Sequence, residues 1–136
     1  MHAITSQLHV GDRADARDVE SIRDAGITAV LRLTHGAPPA YPDSVTVVEC
    51  PLVDGPQNDP ANVRDAVARL TTLLYADETV LVHCSAGSSR SVAVAAAALA
   101  RLNGTDVETA LERLRSAHPG ADPHPALVEN ARRVVE

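Results

Sequence analysis

Short β-branched runs alternate along this chain with stretches whose apolar residues recur every three or four positions. That is the pattern of an α/β domain built on a largely parallel sheet. Leu8-His9-Val10, ahead of Gly11-Asp12, reads as a first short strand. Ala16–Ala25 follows as a helix, with Val19, Ile22 and Ala25 on one face and Gly26 suited to the position just past its end. Ile27–Leu33 returns to strand, Gly36–Asp43 with its three prolines is loop, and Val45–Val53 is strand again. Asp59 is a natural helix cap and Pro60 fits the first helical position, where a missing N–H costs nothing. Val63, Val67, Leu70 and Leu74 carry that helix to about Tyr75. Thr79-Val80-Leu81-Val82 has the unbroken apolar character of a strand buried on both faces. Ser91–Leu102 is an alanine-rich helix closed by Asn103-Gly104. Thr105-Asp106-Val107-Glu108 forms a capping box for a helix to about Ser116. Pro125–Val135 is the last helix, with Leu127, Ala131 and Val134 on one side. The count is four strands and five helices. We expect a single α/β domain over residues 1–136, its central, mostly parallel sheet of four to five strands flanked by helices.

Length and composition agree with one ordinary globular unit: 136 residues, 45% apolar and 22% charged, enough to bury a core without staples. The longest apolar run, Val92–Ala100, has nine residues, well short of the ~20 that a membrane helix needs. The first six residues have no basic flank and no apolar core, so no secretion signal is expected. Eighteen acids against twelve arginines give a net charge of −6, with the acids spread along the chain. A nucleic-acid binder would carry a concentrated basic face instead. Tyr41 and Tyr75 are the only aromatic residues, so base stacking is not expected either. Two cysteines, Cys50 and Cys84, are too few for a disulfide scaffold and fit the reduced cytoplasm.

The chemistry lies in Val80-Leu81-Val82-His83-Cys84-Ser85-Ala86-Gly87-Ser88-Ser89-Arg90-Ser91. A buried strand ends, six small or polar residues follow (Cys84 through Ser89), and a helix begins. Small side chains leave the loop's own N–H groups unobstructed. Such a loop can curl until its amides converge at a positive helix end, making a nest for a tetrahedral oxyanion. Gly87 supplies the backbone freedom, for a positive φ or for close approach of the ligand. Cys84 sits at the floor of this cup, where the amides and the helix end favour thiolate over thiol. Arg90 returns to the rim, and its planar fork can hold two phosphate oxygens. Ser85, Ala86, Gly87, Ser88, Ser89 and Arg90 would thus bind a phosphate at which Cys84 is aimed.

His83-Cys84-(five residues)-Arg90-Ser91 resembles the signature of the protein tyrosine phosphatase superfamily, and its surroundings resemble the dual-specificity branch of these cysteine-based phosphatases. The resemblance covers nearly the whole chain: Leu8–Gly11 and Ala25–Leu31 are similar to the family's opening strand and first helix–strand junction, and Leu52-Val53-Asp54-Gly55 to its acid loop. It implies the cysteine-based phosphatase fold and a hydrolase that works without a cofactor. Cys84 would attack phosphorus to form a cysteinyl-phosphate. An acid would protonate the leaving oxygen and then, as base, activate water. Ser91 falls where the family places a hydroxyl that bonds the departing thiolate.

Each role has a plainer alternative. Cys84 could be a small buried apolar residue. Asp54 is favoured as the acid, with Asp59 as the alternative whose helix-cap role already accounts for it; Asp54 could also be a turn residue. Ser91 could simply start a helix. His83 is expected to orient the loop rather than donate a proton. No metal site is expected, since the six histidines are scattered; His118 and His124 in their Pro/Gly-rich connection, and Tyr41 in its loop, read as solvated. Cys50 could form a protective disulfide with Cys84, although strand burial explains it better.

The variable loop positions Ser85, Ala86, Ser88 and Ser89 are neutral, so the loop offers only Arg90 as a cation. A singly phosphorylated protein side chain is therefore the expected substrate, phosphotyrosine with phosphoserine or phosphothreonine. Phosphatases of lipids or RNA 5′ ends, a sulfur-transfer or arsenate-reductase enzyme, and a non-catalytic phosphoprotein-binding module are the alternatives. Neither nucleic acid nor membrane is an expected partner, and the oligomeric state is left open.

Overall fold

The computed structural model describes residues 1–136. Five strands form one sheet: β1 (His2–Ala3), β2 (Leu8–Gly11), β3 (Ala29–Arg32), β4 (Thr46–Glu49) and β5 (Val80–His83), in the spatial order β1-β2-β5-β3-β4. β2, β5, β3 and β4 run parallel, and only the two-residue β1 pairs antiparallel, against β2. At two residues, β1 is too short for any periodicity to register in the sequence. In the last parallel rung, Gly11, His83 and Arg32 lie side by side.

The helices are α1 (Arg13–Arg17), α2 (Val19–Asp24), α3 (Pro60–Tyr75), α4 (Arg90–Asn103), α5 (Val107–Ala117) and α6 (Pro125–Val135). The single helix expected over Ala16–Ala25 is two short ones. Asp12 and Asp15 form a reciprocal capping box that starts α1 early, and Asp18 both ends α1 and caps α2 by accepting from the Ser21 N–H. The strand expected over Val45–Val53 shortens to β4. Pro51 has no N–H for the ladder, although Cys50 N and Leu52 N still donate to Arg32 O (2.8 Å) and Leu33 O (3.0 Å). The box expected at Thr105–Glu108 does not form: Asp106, one residue later, caps α5 by itself, accepting from the Thr109 N–H (2.8 Å). Tyr41 is not solvated, because its hydroxyl donates to Ala16 O.

Alternate residues of the central strands serve two cores. Leu8, Val10, Leu31, Val80 and Val82 pack with α3–α6, while Val30 and Leu81 pack with Ile22 and Ile27 beside α1 and α2. α4 is buried from Ser91 to Ala100, with helices α3, α5 and α6 against it. Its run of alanines lets those neighbours approach, which explains the composition noted above. The effect is to fix the start of α4 rigidly over the carboxyl end of β5. That end of an open parallel sheet is where α/β domains place their ligands.

Candidate active site

β5 delivers Cys84 to the end of the sheet, 1% exposed, with Sγ 3.2 Å from Oγ of the fully buried Ser91. The loop that follows is tied from outside through its carbonyls. Ser85 O accepts from Arg13 N (3.2 Å), Ser88 O from Asp122 N (2.7 Å), and Gly87 O is bonded to His118 Nε2 (2.8 Å). In a trans peptide the carbonyl and the next N–H point opposite ways. Outward carbonyls at Ser85, Gly87 and Ser88 therefore turn the N–H groups of Ala86, Ser88 and Ser89 inward.

Those amides are not used by the protein. The first N–H of this stretch with an internal partner is that of Ala93, bonded to Ser89 O (2.9 Å); none from Ser85 to Val92 donates to the chain. Ser89 holds the capping position of α4 yet does not cap it. Its hydroxyl instead donates to Asp54 Oδ1 (2.6 Å) and accepts from His124 N (2.9 Å). An ordinary helix start would have satisfied its first amides with that side chain. Here the chain leaves them without a partner.

Arg90 adds the positive charge. One terminal nitrogen donates to Leu52 O (2.9 Å) and Leu33 O (3.5 Å), which anchors the side chain, while its Nε is buried with no partner. Gly87 has φ 71°, and a Cβ there would lie 2.8 Å from the Gly11 carbonyl carbon, so both conformation and close packing exclude a side chain.

The two acid candidates separate in space. Asp54 lies against the loop through Ser89, in a turn closed by the Asn58 side chain accepting from Val53 N (2.7 Å), with Gly55 at φ 124°. Asp59 is spent on α3, accepting from Ala61 N (2.9 Å). Cys50 is a free, buried thiol facing Asp65 at 3.7 Å, and burial, with that carboxylate, pushes it up to about 11.

The histidines depart from the sequence reading. His83 is 1% exposed, and neither ring nitrogen has a hydrogen-bond partner; burial pushes it down to about 4. The loop is held by His118 instead, which is buried and stacked on His2 at 3.9 Å rather than solvated. His124 is half-buried and caps α6 through Nδ1, accepting from Ala126 N (3.0 Å). Sequence reasoning missed the loop anchors Arg13, His118 and Asp122. His118-Pro119-Gly120 carried only a turn signal, and nothing in local spacing links it to a loop thirty residues earlier.

A parallel sheet whose central strand feeds a cysteine into an uncapped helix start defines the class, the cysteine-based phosphatase fold. The family model for the dual specificity phosphatase catalytic domain matches residues 8–131. Dual specificity protein phosphatase 22 of Xenopus tropicalis is 33% identical over 125 residues, covering 91% of this chain and 59% of the relative. Human dual specificity phosphatase 28 is 29% identical over 123 residues, covering 90% of this chain and 70% of the relative. The crystal structure of human DUSP28 superposes with a TM-score of 0.89 at 26% identity, over 99% of this chain and 95% of that one. The chain belongs to the dual-specificity phosphatases, a family of protein phosphatase enzymes. It spans about three fifths of the Xenopus relative's length.

Proposed function

We infer that residues 1–136 form a catalytic domain that dephosphorylates phosphotyrosine, and phosphoserine or phosphothreonine, on proteins through a cysteinyl-phosphate. The observation that carries this reading is that the N–H groups from Ser85 to Val92 and the Nε of Arg90, in the loop and helix start that follow Cys84, have no partner in the chain. Three of the phosphate oxygens bind those donors, and Arg90 follows them as the group flattens. The Cys84 thiolate attacks phosphorus, forming the S–P bond as the P–O bond to the substrate breaks. Asp54 protonates the departing oxygen, then takes a proton from the water that attacks the cysteinyl-phosphate. The thiolate leaves toward the Ser91 hydroxyl at 3.2 Å, which donates to it. His83 contributes packing behind the cup, neutral in its buried setting. The mechanism needs a reduced thiol, and both cysteines are free, which is the ground for placing the protein in the cytoplasm.

The test is hydrolysis of para-nitrophenyl phosphate by the wild type and by Cys84→Ser, followed by a panel of phosphotyrosine, phosphoserine and phosphothreonine peptides. Turnover by the wild type alone, with a covalent phosphate trapped on Cys84 after acid quenching, is the expected result. Equal rates for the two proteins would overturn the assignment.

A further inference from the structure

The largest cavity of the protein, about 450 Å³, is not the cup around Cys84 but an opening beside it, under the loop between β3 and β4. Arg13, Arg17, Arg32, His35 and His83 line it, and no acid does. In a chain of net charge −6 this gathers three arginines from two separate segments, with two histidines among them. Arg32 is only 5% exposed. Both terminal nitrogens are engaged, one by Gly36 O (2.8 Å) and by Glu49 Oε1 in an ion pair (2.9 Å), the other by Ala37 O (3.5 Å), yet its Nε is buried with no partner. His83, its neighbour in the last rung of the sheet, is 1% exposed with both ring nitrogens unpartnered. Burial holds His83 down against an opposing pull from the Cys84 backbone, and the nearby Arg32, Arg13 and Arg90 add to the lowering. Buried donors without partners are costly unless a ligand completes them.

The cavity opens on the face of the sheet that carries Val30 and Leu81, whereas Cys84 packs with the other face. The two meet at the loop: Arg13, at the cavity, donates to Ser85 Oγ (3.3 Å) and through its backbone to Ser85 O. A ligand lying over the carboxyl edge of the sheet would therefore reach both. The neutral loop positions, which seemed to limit the site to one phosphate, do not describe the whole surface, because folding brings further arginines to its rim.

We propose that the cavity of Arg17, Arg32 and His35 is a second anion subsite, taking a carboxylate or a second phosphate on the peptide segment that flanks the phosphorylated residue. The peptide half of this proposal rests on the protein-phosphatase reading; the anion site does not. An extended peptide advances about 3.3 Å per residue, so a group two to four residues from the phosphoresidue spans roughly 7–13 Å. Arg17, exposed and free of ion pairs, supplies the outer charge, while Arg32 Nε and the His83 ring supply donors at the floor.

The site itself is tested by titrating inorganic phosphate into the wild-type protein and following arginine Nε, histidine ring and backbone resonances by NMR. Two groups should saturate separately: the amides of residues 85–90, and the Arg17, Arg32 and His35 signals. Prior vanadate should remove only the first group. Stationary cavity signals while the loop amides move would overturn the subsite. Moving cavity signals with a silent loop would sink the phosphatase reading and leave the subsite standing. The substrate class is tested with a phosphotyrosine peptide carrying alanine, glutamate or a second phosphate two to four residues away. Either anion should raise kcat/KM about tenfold over alanine, and the responding arm identifies the source. Arg17→Gln, on the surface, and Arg32→Gln should each return that ratio toward one. A ratio of one in the wild type, or one unmoved in both variants, overturns the peptide assignment, as does faster turnover of a soluble inositol bisphosphate than of any peptide.

Discussion

Ser89 Oγ donates to Asp54 Oδ1 at 2.6 Å, so the residue positioned to cap α4 instead tethers the turn that carries Asp54. One hydroxyl thereby does two things: it leaves the first amides of α4 without a side-chain cap and ties the Asp54 carboxylate to the same loop. It also accepts from His124 N, locking the connection to α6 onto the same point. Ser89→Ala removes both bonds. We predict a loss of about 1–3 kcal/mol of stability and a larger fall in kcat for phenyl phosphate than for para-nitrophenyl phosphate, whose leaving group needs the acid less. Thermal melts and leaving-group comparisons check this, and Ser89→Thr, which keeps the hydroxyl, should recover most of both.

Asp54→Asn keeps the shape of the turn but cannot give a proton. Turnover of poor leaving groups should drop by about 10²–10⁴, and the basic limb of cleavage should lose its dependence on the carboxyl. Competitive inhibition by vanadate should change by less than about threefold, because the ring of amides and Arg90 remain. Asp59→Asn should leave the rate close to wild type, since Asp59 is occupied at the start of α3. If the two variants exchanged phenotypes, the acid role would pass to Asp59.

The Ser91 hydroxyl stands 3.2 Å from the Cys84 sulfur, and in the proposed mechanism it donates to the thiolate as it departs. Ser91→Ala should slow breakdown of the cysteinyl-phosphate more than its formation. A hydrogen bond to a charged partner is worth about 1.5–3 kcal/mol, so kcat falls roughly ten- to hundredfold while kcat/KM stays near wild type. Rapid mixing should then show a burst of phenolate equal to the enzyme concentration. A fall in kcat/KM of the same size would mean that Ser91 acts before the intermediate.

Gly87 meets the Gly11 backbone so closely that a methyl group has no room, and its φ of 71° disfavours any side chain. Gly87→Ala should cost about 1–3 kcal/mol in stability. By displacing the amides, it should cost at least about a hundredfold in rate. Phosphate affinity, read by isothermal titration on the Cys84→Ser background, should fall with it.

Much of this site was readable from the sequence because it is local. Strand, small-residue loop, arginine and helix follow one another within twelve residues, and the spacing alone brings Cys84, Arg90 and Ser91 together. Asp54 drew notice only because Leu52-Val53-Asp54-Gly55 resembles the family's acid loop, and folding sets it against the loop through Ser89. What stayed hidden is what folding gathers from afar. Arg13, His118 and Asp122 hold the loop's carbonyls from three different segments, and no periodicity announces such pairings. The fold showed the same division. Long amphipathic helices such as α3 were visible, whereas the two-residue β1 and the break between α1 and α2 depend on pairing and capping. His118 and His124 read as solvated because polar residues among Pro and Gly usually are. Their burial is set by the contacts of the connection with the active-site loop.

Acid should destabilise the protein in a window that belongs to histidine. His83 has an ordinary value of 6.5 and is pushed down to about 4 by burial. The unfolded chain therefore binds a proton between those two values that the folded chain refuses, and stability rises with pH across that window. The contribution is complete above about pH 6.5 and is lost as pH falls toward 4; a shift of that size amounts to at most about 3 kcal/mol. His2 and His9 are pushed the same way, each chiefly by burial. Asp18 and Asp106, held below the ordinary carboxylate range by hydrogen bonds from Ser21 and Thr109, lose their contributions only at lower pH. Urea midpoints measured at pH 7.5, 6 and 5 should thus decline for the wild type. His83→Asn, compared with itself across the same series, should show a shallower decline even if it begins less stable. Parallel slopes for the two proteins would show that His83 is protonated in the native state and that the positive potential from Arg13, Arg32 and Arg90 does not reach it.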